Sequence, residues 1–142
     1  MDETSFYSFL DIFLLENPGA EDQTEDIRCT TDEIRHIEKE LGVILPQHYK
    51  TFLERINFFR PINIFRCGKA DNILDENDSA RDFLAEDLVA FADNGCGDYY
   101  CFRIENGRAT DEVLISFHDV ESLEHVADDF YSFVVAQLES FH

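Results

Sequence analysis

The sequence predicts an α+β fold, a single domain in which a mainly antiparallel sheet is packed by N-terminal and C-terminal helices. Three observations carry this expectation. LVAFADNGCGDYYCFRI, Leu88 to Ile104, places two β-prone apolar runs around a turn rich in Asp, Asn and Gly. Asn106-Gly107 follows, a dipeptide that favours a tight hairpin because both of its residues tolerate positive φ. Both ends of the chain carry apolar residues at three- and four-residue spacing, the period of a helix buried on one face.

Taken in order, Phe6, Phe9, Leu10, Phe13 and Leu14 form the first helical stripe, which Pro18 and Gly19 end. Glu21 to Asp26 is polar and acidic, a surface loop. Thr30 and Glu33 stand at capping-box spacing, so a second helix turns Ile34, Ile37 and Leu41 inward and stops at Gly42. Pro46 opens a third helix, where its missing N–H costs nothing, with Tyr49, Phe52, Leu53 and Ile56 as the buried stripe. The short connection predicts an antiparallel helical pair with Lys39, Lys50 and Arg55 on its solvated face. Pro61 within Asn57 to Arg66 predicts an edge strand or a broken one. Asp71 to Asp87 reads as a solvated loop with a short helix. In the second arm of the hairpin, Tyr100, Phe102 and Ile104 share one face while Tyr99, Cys101 and Arg103 share the other. Beyond Asn106-Gly107 the chain turns back through Val113 to Phe117, which makes a three-stranded meander. Asp119 or Ser122 then caps a closing helix that carries Leu123, Val126, Ala127, Phe130, Val134 and Leu138.

The 142 residues contain no internal repeat and no interior linker, so one domain spanning 1–142 is expected. Fourteen Phe supply core material despite a formal charge of −20. That charge sits mostly at the ends: residues 1–27 hold eight acids and no Lys or Arg, and residues 109–142 repeat the pattern. Such a field repels nucleic acid and anionic membranes and accelerates encounter with a basic protein. The apolar runs are too short to span a membrane and the N-terminus carries acids in place of a basic leader, which predicts a cytoplasmic protein.

Chemistry-bearing constellations are sparse, and no catalytic residues, metal or cofactor are expected. Cys29, Cys67, Cys96 and Cys101 form no CxxC pair and have no His at zinc-ligand spacing, so they read as reduced, buried thiols. The acids between Asp71 and Asp87 do not follow the calcium-loop spacing. His118 beside Asp119, with His125 further on, is the nearest approach to an acid–base or metal set, and nothing upstream supplies a matching His or Cys. Cys96, between Gly95 and Gly97, has acids for neighbours where a nucleophilic thiolate needs a base or cation.

Three segments together resemble the Smi1/Knr4 family of the SUKH superfamily. TTDEIRHIEKELGVILPQHYKTFLERIN, Thr30 to Asn57, carries Ile34, Ile37, Glu38, Leu41, Gly42, Leu45, Pro46, Tyr49, Phe52 and Leu53 at the family's positions. Phe91, Ala92, Gly97, Asp98 and Tyr100 match its hairpin, and HDVESLEHVADDFYSFVVAQL is similar to its closing helix. The chain departs from the pattern after the second of these helices, where Asn57 leads into Phe58 and Phe59 in place of Asn-Gly, and Arg60 to Glu86 lies outside it. Residues 1–29 then form an N-terminal helix and acidic loop, and residues 30–142 the family-like core.

The resemblance implies an α+β fold without enzymatic activity. For bacterial members it implies an immunity protein that neutralises a polymorphic toxin, often a nuclease or deaminase. For fungal relatives it implies an intracellular regulatory or scaffold domain. The expected partner is a basic toxin protein, met by Asp75, Glu76, Asp78, Asp82, Glu86 and Asp87, because this acidic stretch lies where partner-specific variation is accommodated. Asp93 and Asp98 at the hairpin turn are the next candidates. An edge strand near Phe58 to Phe65 leaves dimerisation open.

Overall fold

The computed structural model describes residues 1–22, 24–68, 71–120 and 122–140. Helix α1 (Glu3–Glu16) starts where the Asp2 carboxylate accepts the Ser5 N–H at 2.7 Å. Helix α2 (Thr31–Leu41) carries the expected capping box: the Thr30 hydroxyl accepts from the Glu33 N–H and the Glu33 carboxylate accepts from the Thr30 N–H. Gly42 ends it at φ 69°, a left-handed conformation that a Cβ disfavours. Helix α3 (Gln47–Arg55) follows directly on Pro46.

A two-residue strand β1 (Asn63–Ile64) leads to helix α4 (Ile73–Ala80), and four further strands follow: β2 (Leu88–Asp93), β3 (Tyr99–Glu105), β4 (Arg108–Ser116) and β5 (Leu123–Ala127). Helix α5 (Phe130–Glu139) closes the chain. The five strands form one antiparallel sheet in sequence order, β1 to β5. A bulge between Ala90 and Ala92 interrupts the β2–β3 register at Phe91. Asn106 and Gly107 both take positive φ, 53° and 74°, and turn β3 into β4 as their sequence requires.

The core is built on aromatic rings. Phe91 stacks on Phe102 at 4.2 Å between ring centroids, Phe133 meets Phe91 edge-on at 5.5 Å, and Tyr49 stacks on Phe130 at 5.6 Å. Phe6 stacks on Tyr131 at 4.1 Å, which seats α1 against α5. No helix among the described residues is long and apolar enough to cross a membrane.

Three expectations are corrected. Leu123 to Ala127 is strand and not the start of the last helix: it pairs with β4 from Ser116↔Leu123 to Val113↔Ala127, and Asp129 caps α5 by accepting the Ser132 N–H at 2.7 Å. A helical period and an edge strand both tolerate this run, and β4 supplies the partner that decides between them. Helices α2 and α3 pack mainly against α4 and α5 respectively, because their connection is held to the sheet: the Ile44 N–H donates to the Gly107 carbonyl at 2.9 Å, and the Ala109 N–H to the Ile44 carbonyl at 2.8 Å. Lys50 is drawn in from the surface to pair with Glu38 at 3.1 Å, while Lys39 and Arg55 stay exposed as expected, Arg55 over the Tyr7 ring. Of the cysteines, Cys29 and Cys101 are buried, Cys67 is half-buried and Cys96 is exposed.

Candidate functional site

Helix α4 presents its acids because of its own spacing. Ile73, Asn77 and Ala80 fall on one face and are buried, which turns Asp75 and Asp78 outward. The helix is fixed by Asn72, whose carboxamide oxygen accepts the Leu74 and Asp75 N–H groups, and by Asn77. The Asn77 side chain donates to the Ala90 carbonyl and accepts the Ala90 N–H, both at 2.8 Å, so it stands in for a strand on β2. The loop that follows exposes Asp82, Glu86 and Asp87. Residues 71–87 thus hold seven acids against one base, Arg81. Two pairings cross this surface, Asp78 with Arg81 at 3.6 Å and Asp87 with Arg103 at 3.2 Å, and their exposure leaves most of the negative field in place.

The other predicted residues separate by environment. Glu76 is half-buried at 3.4 Å from the Tyr99 hydroxyl, and burial together with the charges of Asp93, Asp71 and Asp75 raises its pKa. Asp93 accepts from the Asn63 side chain at 2.9 Å and from the Gly95 N–H at 3.0 Å, linking the β1 edge to the turn. Asp98 is buried and serves the turn itself. It accepts from the Asn94 amide at 3.0 Å, from the His118 N–H at 3.0 Å and lies 2.6 Å from His118 Nδ1, contacts that depress its pKa and raise that of His118. The His118 ring covers Gly97, where a Cβ would stand 3.2 Å from Nδ1.

Asp82 opens onto a cleft of ≈ 540 Å³ between the α4–β2 loop and the β4–β5 loop. Phe83, Val120 and Leu123 line it and are 43, 57 and 39 % exposed, so large apolar side chains meet solvent here at the margin of the acidic surface. His118 and Asp119 form part of its wall. Asp98, His118 and Asp119 each bring one potential ligand atom within 4.8 Å of the others. Two of the three are already engaged with each other, which makes the group a brace between the hairpin turn and the end of β4.

Sequence reasoning did not find the apolar part of this site. Phe83 stands among acids without a periodic partner, and Leu123 fits the stripe of a helix as well as it fits the strand it occupies. Asn77, which seats α4, carries no signal at all, because its partner Ala90 lies thirteen residues away on another element.

Among curated proteins none matches the chain. The model of the SMI1 / KNR4 family (SUKH-1) matches residues 28–135. The matched span takes in α2, α3, α4, all five strands, the acidic surface and the cleft. Domains of this family generally act by binding proteins and are generally non-enzymatic. With the family's model covering most of its length and the five-stranded α+β architecture around it, the chain belongs to the SMI1/KNR4 family (SUKH-1).

Proposed function

We propose that this chain is an immunity protein that binds and neutralises a cognate bacterial polymorphic toxin, a basic nuclease or deaminase domain, by covering its active site. One observation carries the reading: Asp82 lines a cleft with Phe83, Val120 and Leu123, and Asp75, Asp78, Glu86 and Asp87 are exposed on the same helix and loop from which Asp82 and Phe83 come. An apolar centre with a charged margin is the anatomy of a protein interface. Enzymes that act on nucleic acid gather Lys and Arg around the site to hold phosphate, and a row of carboxylates competes for those same cations. The mechanism is steric and electrostatic, with no bond made or broken. Glu76 and Asp93 extend the field at its edge, and Asp98 contributes by holding the hairpin turn in place.

Co-expression tests this. Cells that make the toxin should grow when they also make this chain, and should lose that protection when Asp75, Asp78 and Asp82 are replaced together by Lys. A chain that binds its partner without restoring growth would instead be a regulatory or scaffold domain, and protection that survives the triple substitution would move the interface elsewhere.

A further inference from the structure

Strand β5 ends the sheet on one side, paired with β4 alone, and its five residues make a longer edge than the two-residue β1 on the other side. The phase of its ladder is set just before it, where the Phe117 N–H donates to the Ser122 carbonyl at 3.2 Å. Backbone groups along a strand point to alternate sides, so Ser122 and Glu124 turn theirs toward β4, and Leu123 and His125 turn theirs away. Those two N–H and two C=O groups have no hydrogen-bond partner among the described residues. Leu123, Glu124 and His125 are all exposed, so this row of donors and acceptors faces water, open to another strand.

The side chains around this edge select what can pair with it. Leu123 lies on the side of the cleft, and Glu124 lies on the opposite face by the period of two. Asp119 and Asp128 stand exposed beyond the two ends of the strand, and the His125 ring sits between Glu112 at 2.6 Å and Asp128 at 3.4 Å. No Lys or Arg occurs anywhere in residues 109–142. Charge therefore disfavours a second copy of the chain. A two-fold pairing that satisfies all four outward groups sets each Leu123 opposite a His125 and the two Glu124 side chains opposite each other, and like charges directly opposed destabilise a ladder. A segment that carries cations meets attraction at the same positions.

We propose that β5 receives an extended segment of a basic partner protein as a sixth strand of the sheet, bonded to the outward backbone groups of Leu123 and His125. Residues of that segment opposite Leu123 and His125 share their face, so apolar side chains there continue the cleft that Leu123, Val120 and Phe83 line. The residues between them fall on the face of Glu124 and carry the cations. The segment is thus an alternation of apolar and basic residues, gripped through its backbone and chosen through its side chains. That its owner is a toxin rests on the function proposed above, whereas the edge that receives it rests on the ladder and the charge alone.

The probe is a synthetic peptide of alternating Arg and Val with blocked ends, added to the isotope-labelled full chain. Hydrogen exchange followed by NMR should slow at the amides of Leu123 and His125 by about tenfold at saturating peptide, with Glu124, already turned to β4, little changed. N-methylation of the peptide's Val residues, whose N–H groups face β5, should weaken binding by about tenfold or more, and N-methylation of its Arg residues should not. His125→Pro removes an outward N–H without touching the β4 ladder and should weaken binding by about tenfold, whereas His125→Val, which keeps that N–H, should not. Glu124→Lys should transfer the preference to a peptide of alternating Glu and Val. Unslowed exchange at Leu123 and His125, or equal binding of the two methylated peptides, would overturn the proposal. So would sedimentation of the chain alone as a dimer that His125→Pro dissociates, since a second copy would then be the occupant. The methylated peptides test the unaltered chain, so the result stands even if His125→Pro fails to fold. Growth rescued in the co-expression assay without slowing at these amides would overturn the edge and leave the immunity function standing, and slowing without rescue would uphold the edge and remove the toxin as its partner.

Discussion

Asn77 grips Ala90 through both edges of its carboxamide: Nδ2 donates to the Ala90 carbonyl and Oδ1 accepts the Ala90 N–H, each at 2.8 Å. One side chain thereby satisfies two buried backbone groups of β2 and fixes the helix that displays Asp75 and Asp78. Replacing Asn77 with Ala leaves both groups without a partner away from water. The expected loss is about 2–4 kcal/mol of stability, read from urea unfolding. A loss below about 1 kcal/mol would mean that the apolar face of α4 holds the helix without this clamp.

Helix α2 should depend on both of its ends. Thr30→Ala removes the hydroxyl that accepts the Glu33 N–H and should cost about 1 kcal/mol. Gly42→Ala meets no steric neighbour but must hold φ 69°, so its cost, about 1–2 kcal/mol, is backbone strain alone. The ends share no partner, so the double variant should show the sum, and a clearly smaller loss would reveal coupling through the helix.

The Asp98–His118 contact predicts a specific pH window. The Asp98 pKa is depressed in the fold by Asn94 and His118, so its contribution is present above the ordinary value of 3.8 and is lost as pH falls through the lower folded value. His118 is raised by Asp98, so its contribution is full below 6.5 and is lost as pH rises through the higher folded value. Both are complete between those two ordinary values. The difference in Tm between the chain and a His118→Gln variant should therefore be largest there and shrink on either side. A difference independent of pH would mean that packing of the ring on Gly97, not charge, is what the turn uses.

Charge and apolar contact at the proposed interface should separate kinetically. Asp75→Asn, Asp78→Asn and Asp82→Asn together should lower the association rate with the toxin by about tenfold at low salt, with dissociation little changed and the difference fading as salt rises. Phe83→Ala should do the reverse, accelerating dissociation by about tenfold or more while leaving encounter alone. Stopped-flow or surface binding measurements at two ionic strengths check both, and equal effects on both rates would dissolve the division between steering margin and apolar centre.

Much of the architecture is legible in the chain because the chemistry involved is short-range. Thr30 and Glu33 lie within one helical turn of each other, and Asn106 with Gly107 sets its own backbone, so caps and hairpins follow from neighbours in sequence. The acidic helix and loop after Asp71 are readable for the same reason, since solvent accepts every charge that has no partner. Leu123 to Ala127 marks the boundary of that reasoning. Its spacing suits a helix, and the free edge of β4, which pairs with it from Ser116↔Leu123 to Val113↔Ala127, makes it a strand.

What the amino-acid order determined by itself, then, is most of the elements, the hairpin turn at Asn106 and Gly107 and the negative sign of the surface. Tertiary structure alone decided which groups meet: Asn77 with Ala90, Asp98 with His118, Arg66 with the carbonyls of Ile56 and Asn57, and Asp82 with the exposed apolar side chains of the cleft. The physical reason is range. Propensities and caps act over three or four residues, whereas burial, ion pairing and hydrogen-bond satisfaction act between whichever groups the sheet and helices bring to a few ångströms of one another.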